Sequence, residues 1–183
     1  NAATGITMSS DGMKFYLVGN NGDAIYQYST ASPFEIDGMT YDEVMFDISA
    51  EDVTPTGIAF SPDGTKMFAT GAEEDEINQY TLGTPFDLSF DITTGVSFEG
   101  SISVLNEESN PGGLAFSKDG LKLLVIGSLG DEVNQYALAA PFDITYGVEF
   151  DTNFRMEQQD QGPVDLIFNP SGTRMYVLGL FND

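Results

Sequence analysis

The sequence predicts an all-β fold made of repeated four-stranded antiparallel units. Three observations lead there. Four stretches of the chain carry nearly the same text. Their spacing is close to fifty residues. Within each, apolar residues alternate with the period of a strand rather than that of a helix.

The four stretches are "TGITMSSDGMKFYLVG", "GIAFSPDGTKMFATG", "GLAFSKDGLKLLVIG" and "DLIFNPSGTRMYVLG". Their opening residues, Gly5, Gly57, Gly113 and Asp165, are 52, 56 and 52 residues apart. Ile58 and Phe60 alternate with Gly57 and Ala59, which predicts a strand with two different faces. Ser61-Pro62-Asp63-Gly64 follows. Pro presets φ, Asp suits the next turn position, and Gly takes the left-handed conformation that closes a hairpin. A second strand such as "KMFATG" comes next, and then a third: "AIYQY" (24–28), "EINQY" (76–80) and "EVNQY" (132–136). Pro33-Phe34, Pro85-Phe86 and Pro141-Phe142 mark the next turn. "EVMFDIS", "GVSFEG" and "GVEFDT" read as fourth strands. No segment shows a helical stripe.

Four antiparallel strands recurring about every fifty residues are the blade of a β-propeller. The units run about 1–53, 54–110, 111–162 and an incomplete 163–183. The expected fold is therefore a single, partial propeller domain of about three and a half blades. The motif "PTGIAFSPDGTKMFATG…D.INQY" resembles the YVTN-type repeat of lactonase-like and surface-layer propellers, and the resemblance covers all four units. It is specific for the fold and not for an activity. WD40 repeats match less well, because the chain has no Trp and no Gly-His pair. "SPDGTKMF" lacks the inner residue and closing Trp of the sialidase Asp box.

Composition narrows function mainly by exclusion. Hydrophobic residues make up 41% of the 183, enough for one sizeable core. Cys and His are absent, so thiolate sites, histidine metal sites and a Ser-His-Asp triad are excluded. No phosphate-binding glycine loop is present. There are 29 acidic against 6 basic residues, for a formal net charge of −23. Such a chain repels nucleic acid and anionic lipid, and favours cations, basic proteins or neutral polar ligands. No apolar run is long enough to span a membrane. The first residue is Asn1 and no signal peptide is visible, while the charge and the surface-layer resemblance imply an extracellular or cell-surface setting.

Repeated residues divide between scaffold and site. Asp23, Asp75, Asp131 and Asp183 recur after the second strand. They form either a ring of metal-binding carboxylates or tight turns in which Asp accepts backbone N–H groups. Gln27-Tyr28, Gln79-Tyr80 and Gln135-Tyr136 also recur. Their rings are expected to pack between blades. Lys14, Lys66, Lys122 and Arg174 each follow the turn Gly by two residues. Glu35, Asp87 and Asp143, just after Pro-Phe, are candidate partners, in exposed pairs worth at most about 1 kcal/mol each. By analogy with known propellers, those cations are expected to gather on one face. The opposite face collects "NNGD" (20–23), "EEDE" (73–76), "GDE" (130–132), "EDV" (51–53) and "NEES" (106–109), and should be strongly negative.

The four extra residues of the second unit are expected between Phe98 and Pro111, in "EGSISVLNEESN". That stretch and "RMEQQDQG" before Pro163 then differ in length, as binding loops on a shared scaffold do. The candidate site is the acidic loop face, with Asp23, Glu73, Glu74, Asp75, Asp131 and Glu132. It lacks the EF-hand pattern, yet "AEEDE" offers oxygens to calcium, the one cofactor the residues point to. The first functional expectation is a noncatalytic binding or surface module for protein, glycan or divalent-cation partners. The alternatives are a lactonase-like or calcium-dependent hydrolase using carboxylates at the channel mouth, and a self-assembling shell component. Apolar blade faces left open at both ends predict a homo-oligomer or a longer chain.

Overall fold

The computed structural model describes residues 2–20, 22–89, 95–156 and 158–180. Among these residues, fourteen strands form four antiparallel sheets. The first blade holds β1 (Ala3–Met8), β2 (Lys14–Gly19), β3 (Ala24–Ser29) and β4 (Thr40–Asp47). The second holds β5 (Pro55–Phe60), β6 (Lys66–Gly71), β7 (Glu76–Leu82) and β8 (Val96–Ser103). The third holds β9 (Pro111–Phe116), β10 (Lys122–Gly127), β11 (Glu132–Ala137) and β12 (Glu149–Arg155). A fourth sheet pairs β13 (Pro163–Phe168) with β14 (Met175–Gly179). Each sheet keeps its strands in sequence order, as a propeller blade does. Asp183 lies outside the described residues.

The hairpin between the first two strands is built alike in each complete blade. The hydroxyl of Ser9, Ser61 or Ser117 donates to the Asp two residues on, at 2.6 Å each time. The same hydroxyl accepts the amide of Lys14, Lys66 or Lys122. In the fourth sheet the Asn169 amide oxygen replaces it, accepting from Thr173 and Arg174. Gly64 sits at φ +71, and a Cβ there would stand 2.2 Å from the Phe86 ring. Phe34, Phe86 and Phe142 themselves hold positive φ of 60°, 58° and 52°. The repeated Pro-Phe turn thus folds a ring back over the repeated turn glycine, which a side chain would displace.

The apolar cores lie between blades rather than within them. Tyr16, Val18, Ile58, Met67 and Tyr80 fill the first junction. Phe68, Ile77, Leu114 and Leu123 fill the second, and Leu124, Ile126, Val133 and Leu166 the third. Polar groups cross the junctions as well. Thr4 and Thr56 donate to the carbonyls of Pro55 and Pro111 in the next blade, both at 2.7 Å. Gln27 and Gln79 accept the amides of Leu88 and Ile144, both at 2.8 Å. At the two ends the corresponding positions are open. Ile6 is 61% exposed where Ile58 is 7%, and Leu178 is 64% exposed where Val18 is fully buried.

The structure corrects two expectations. Asp87 and Asp143 do meet the repeated lysines, but those of the preceding blade: Lys14–Asp87 at 3.8 Å and Lys66–Asp143 at 3.7 Å. Glu35 is exposed, and Lys122 pairs instead with Asp151 at 2.9 Å. The four extra residues of the second unit also lie elsewhere. Tyr80 pairs with Phe98 and Tyr136 with Phe150. Phe98 follows Phe86 by twelve residues, whereas Phe150 follows Phe142 by eight. The extra length therefore falls before β8, in a stretch whose residues 90–94 lie outside the described ones. The connections from Ile48 to Pro55, Val104 to Pro111 and Met156 to Pro163 are equal in length. Each fourth strand also bulges opposite the Gln-Tyr pair, and the residues left out of the pairing are all acidic: Asp42 and Glu43, Glu99, and Asp151.

Candidate functional site

Two places gather groups with chemistry: the acidic loop face and the groove along the first strands. On the loop face, Asp23, Asp75 and Asp131 adopt φ of 47°, 54° and 51°. Asp tolerates this left-handed conformation better than most residues. Their carbonyls accept the amides of Ile48, Val104 and Met156, at 2.8–2.9 Å. The Asp thus recurs because it turns the chain and anchors the end of the fourth strand. Partial burial, with the charge of Glu73, pushes the Asp75 carboxyl above its ordinary range. Glu73 and Glu74 are exposed at the loop tip beside it. Glu132 is buried, and its Oε2 lies 3.6 Å from Nε of Arg155, an ion pair too long for a hydrogen bond. Asp23, Asp75 and Asp131 belong to three separate loops. Among the described residues, no group of three carboxylates stands close enough to hold a metal ion.

A second set of repeated carboxylates, which the sequence reading did not single out, lies in the blade connections. Asp52 and Glu108 are 2% and 1% exposed, and Asp160 occupies the same position. They accept the amides of Thr54, Asn110 and Gly162, two residues on. Each rests on the glycine that ends a second strand. A Cβ at Gly71, Gly127 or Gly179 would come within 2.5 Å of that carboxylate. The neighbouring Glu51 and Glu107 accept the hydroxyls of Tyr80 and Tyr136 at 3.4 and 3.2 Å. The signal was a carboxylate three residues before Pro55, Pro111 and Pro163. It was hidden by the Asp-to-Glu change and by placing the extra residues in the wrong connection.

The groove runs where β1, β5, β9 and β13 lie side by side. It encloses a cavity of about 340 Å³, lined by Gly5, Gly57, Ile58, Phe60, Leu114 and Asp165 among others. Glycines let the strands converge: a Cβ at Gly5 would meet the Thr56 carbonyl at 2.7 Å, and one at Gly57 the Gly112 carbonyl at 2.6 Å. The fourth unit departs from this pattern. Asp165 stands where the other three have glycine, and a Cβ on Gly113 would lie 2.3 Å from its Oδ1. That oxygen accepts the Leu166 amide at 2.8 Å. Burial pushes the Asp165 carboxyl above its ordinary range, and the Leu166 amide only partly offsets it. The repeat places Asp165 in the column of Gly5, Gly57 and Gly113, and the signal for it in the sequence is that single departure from glycine.

No protein-family model matches the chain, and no curated protein matches it either. Solved structures do. A functionally unknown protein from Desulfotomaculum acetoxidans is 15% identical at a TM-score of 0.64, with 98% of this chain and 49% of that one covered. A putative 6-phosphogluconolactonase from Bacteroides uniformis is 18% identical at a TM-score of 0.58, with 98% and 64% covered. The periplasmic gluconolactonase of Pseudomonas aeruginosa is 15% identical at a TM-score of 0.58, with 95% and 42% covered. The chain spans about half the length of the structures it matches. At these identities the likeness shows the fold, a propeller like that of lactonase-type proteins.

Proposed function

We propose that the chain forms part of a lactonase-like propeller hydrolase whose substrate occupies the central groove, with Asp165 as the general base. One observation carries the reading. Asp165 is the lone carboxylate on the innermost strands at a position that three other units leave to glycine, and it is desolvated there. A raised carboxyl is a stronger base near neutral pH than an exposed one. It would take a proton from water as the water oxygen adds to the lactone carbonyl. The ring C–O bond then breaks and the departing alkoxide takes up the proton, giving a hydroxy acid. The fold shared with gluconolactonase-type structures supports the reaction class. The net charge of −23 favours a neutral lactone over a phosphorylated one.

The test is hydrolysis of gluconolactone by the wild-type chain and by Asp165→Asn, followed in a pH-stat above the spontaneous rate. Loss of a general base should lower turnover by about 10²–10⁴-fold. Turnover unchanged in Asp165→Asn removes that residue's role. No turnover in the wild type favours the second reading, a noncatalytic module acting through the loop face, where Glu73 and Glu74 stand exposed. The cell-surface setting implied by the surface-layer resemblance fits either reading.

A further inference from the structure

Where the third blade meets the fourth, at the start of the first strands, the repeat is broken at several neighbouring columns. Asp165 replaces the glycine of the other units. In the preceding column Gly112 stands where the first two blades have Thr4 and Thr56. Asn110 shares its column with Ala2, Thr54 and Gly162, and Ser128 shares its own with Asn20, Ala72 and Leu180. The third blade alone carries a polar pair there, and the amide nitrogen of Asn110 donates to the Ser128 hydroxyl.

These departures surround a cavity of about 270 Å³. Thr56, Asn110, Gly112, Ser128, Pro163 and Val164 are among its lining residues. None of its lining side chains is charged, in a chain with 29 acidic residues. Val164 immediately precedes Asp165, so the cavity continues the central groove at the level of that carboxyl. In the first two junctions a Thr hydroxyl donates across to the carbonyl of Pro55 or Pro111. Gly112 has no hydroxyl to give, so the Pro163 carbonyl lacks the donor that its counterparts have. No Thr fits there, because a Cβ on Gly112 would stand 2.4 Å from the Val164 carbonyl oxygen. The Asn110 carbonyl oxygen and the Ser128 proton also face no printed partner among the described residues. Two acceptors and a donor in an uncharged pocket suit alcohol groups, which both donate and accept.

We propose that this cavity is a polyol subsite, in which Asn110, Ser128 and the Pro163 carbonyl hold the ring hydroxyls of a neutral sugar lactone whose carbonyl lies toward Asp165. The word lactone rests on the hydrolase reading above, while the polyol class rests on the cavity itself. The test therefore begins with binding rather than turnover. The probe is 1,5-anhydroglucitol, which keeps the ring hydroxyls of gluconolactone and has no carbonyl to attack. Titration calorimetry on the wild-type chain should show saturable binding at about millimolar Kd.

The double variant Asn110→Thr, Ser128→Ala installs the residues that the second blade carries at Thr54 and Ala72. An unchanged melting temperature would show that it folds. It should weaken binding of the probe by about tenfold, as the loss of one or two neutral hydrogen bonds does. In kinetics it should lower kcat/KM for gluconolactone by more than for δ-valerolactone, which bears no hydroxyl. Probe binding without turnover of either lactone by the wild type would remove the hydrolase and keep the subsite. No saturable binding of the probe, or binding unchanged in the double variant, overturns the subsite whatever the lactones do.

Discussion

At the scale of single residues, Asp165 links stability to the proposed chemistry. Burial raises its folded pKa above the 3.8 of an ordinary Asp. The ionised form therefore costs stability above the folded pKa. Protonation relieves that cost as the pH falls through it, and near 3.8 the unfolded chain takes up its proton too. Asp165→Asn should accordingly raise the melting temperature at pH 7, with the gain over wild type fading as the pH approaches 4. A melting series over that range checks it. A variant less stable than wild type at pH 7 would mean that the carboxylate has a stabilising partner. The turn residues were legible because their reasons are local: Ser-x-Asp-Gly closes a hairpin whatever packs on it. The left-handed Asp23, Asp75 and Asp131 were half legible. Their recurrence was plain, but a turn and a ring of ligands look the same in one dimension.

At the scale of elements, the third strands of the first two blades latch each to the blade that follows. Gln79 is 2% exposed and accepts the Ile144 amide of the following blade. Gln79→Leu keeps the bulk, removes that acceptor and leaves a buried N–H unpaired, which should cost about 1–3 kcal/mol in chemical denaturation. A cost below about 0.5 kcal/mol would show that Ile144 finds another partner. The strands and their order were legible from alternation and spacing. The partners across blades were not. Lys14 reaches Asp87 and Gln27 reaches Leu88, residues more than sixty positions away, and only the closeness of neighbouring blades sets such pairs. The misplaced insertion has the same origin: strand register decides where a gap falls, and residue similarity alone put it one strand late.

At the scale of the molecule, charge dominates. A net charge of −23 on 183 residues repels itself, and among the described residues three lysine–acid pairs and the Arg155–Glu132 pair offset it. Thermal stability should rise from low salt to about 0.5 M, as the Debye length falls below roughly 10 Å. A scan of melting temperature against NaCl measures it. A flat response would mean that bound cations already compensate the acids. Among the described residues the main contacts between blades join neighbours, so stability is approximately a sum of blade and junction contributions. The open counterparts of Ile58 and Val18, at Ile6 and Leu178, leave apolar surface at both ends of the row.

The acidic bulges of the fourth strands bear on aggregation. β4, β8 and β12 are outer strands with a free hydrogen-bonding edge, the usual template for sheet-to-sheet fibril growth. Each edge is interrupted near its middle, and the interruption carries Asp42 and Glu43, Glu99 or Asp151. A second molecule docking edge to edge would meet a kinked backbone whose pairing register is broken. The bulged outer strands thus oppose edge-to-edge growth at the rim of each blade.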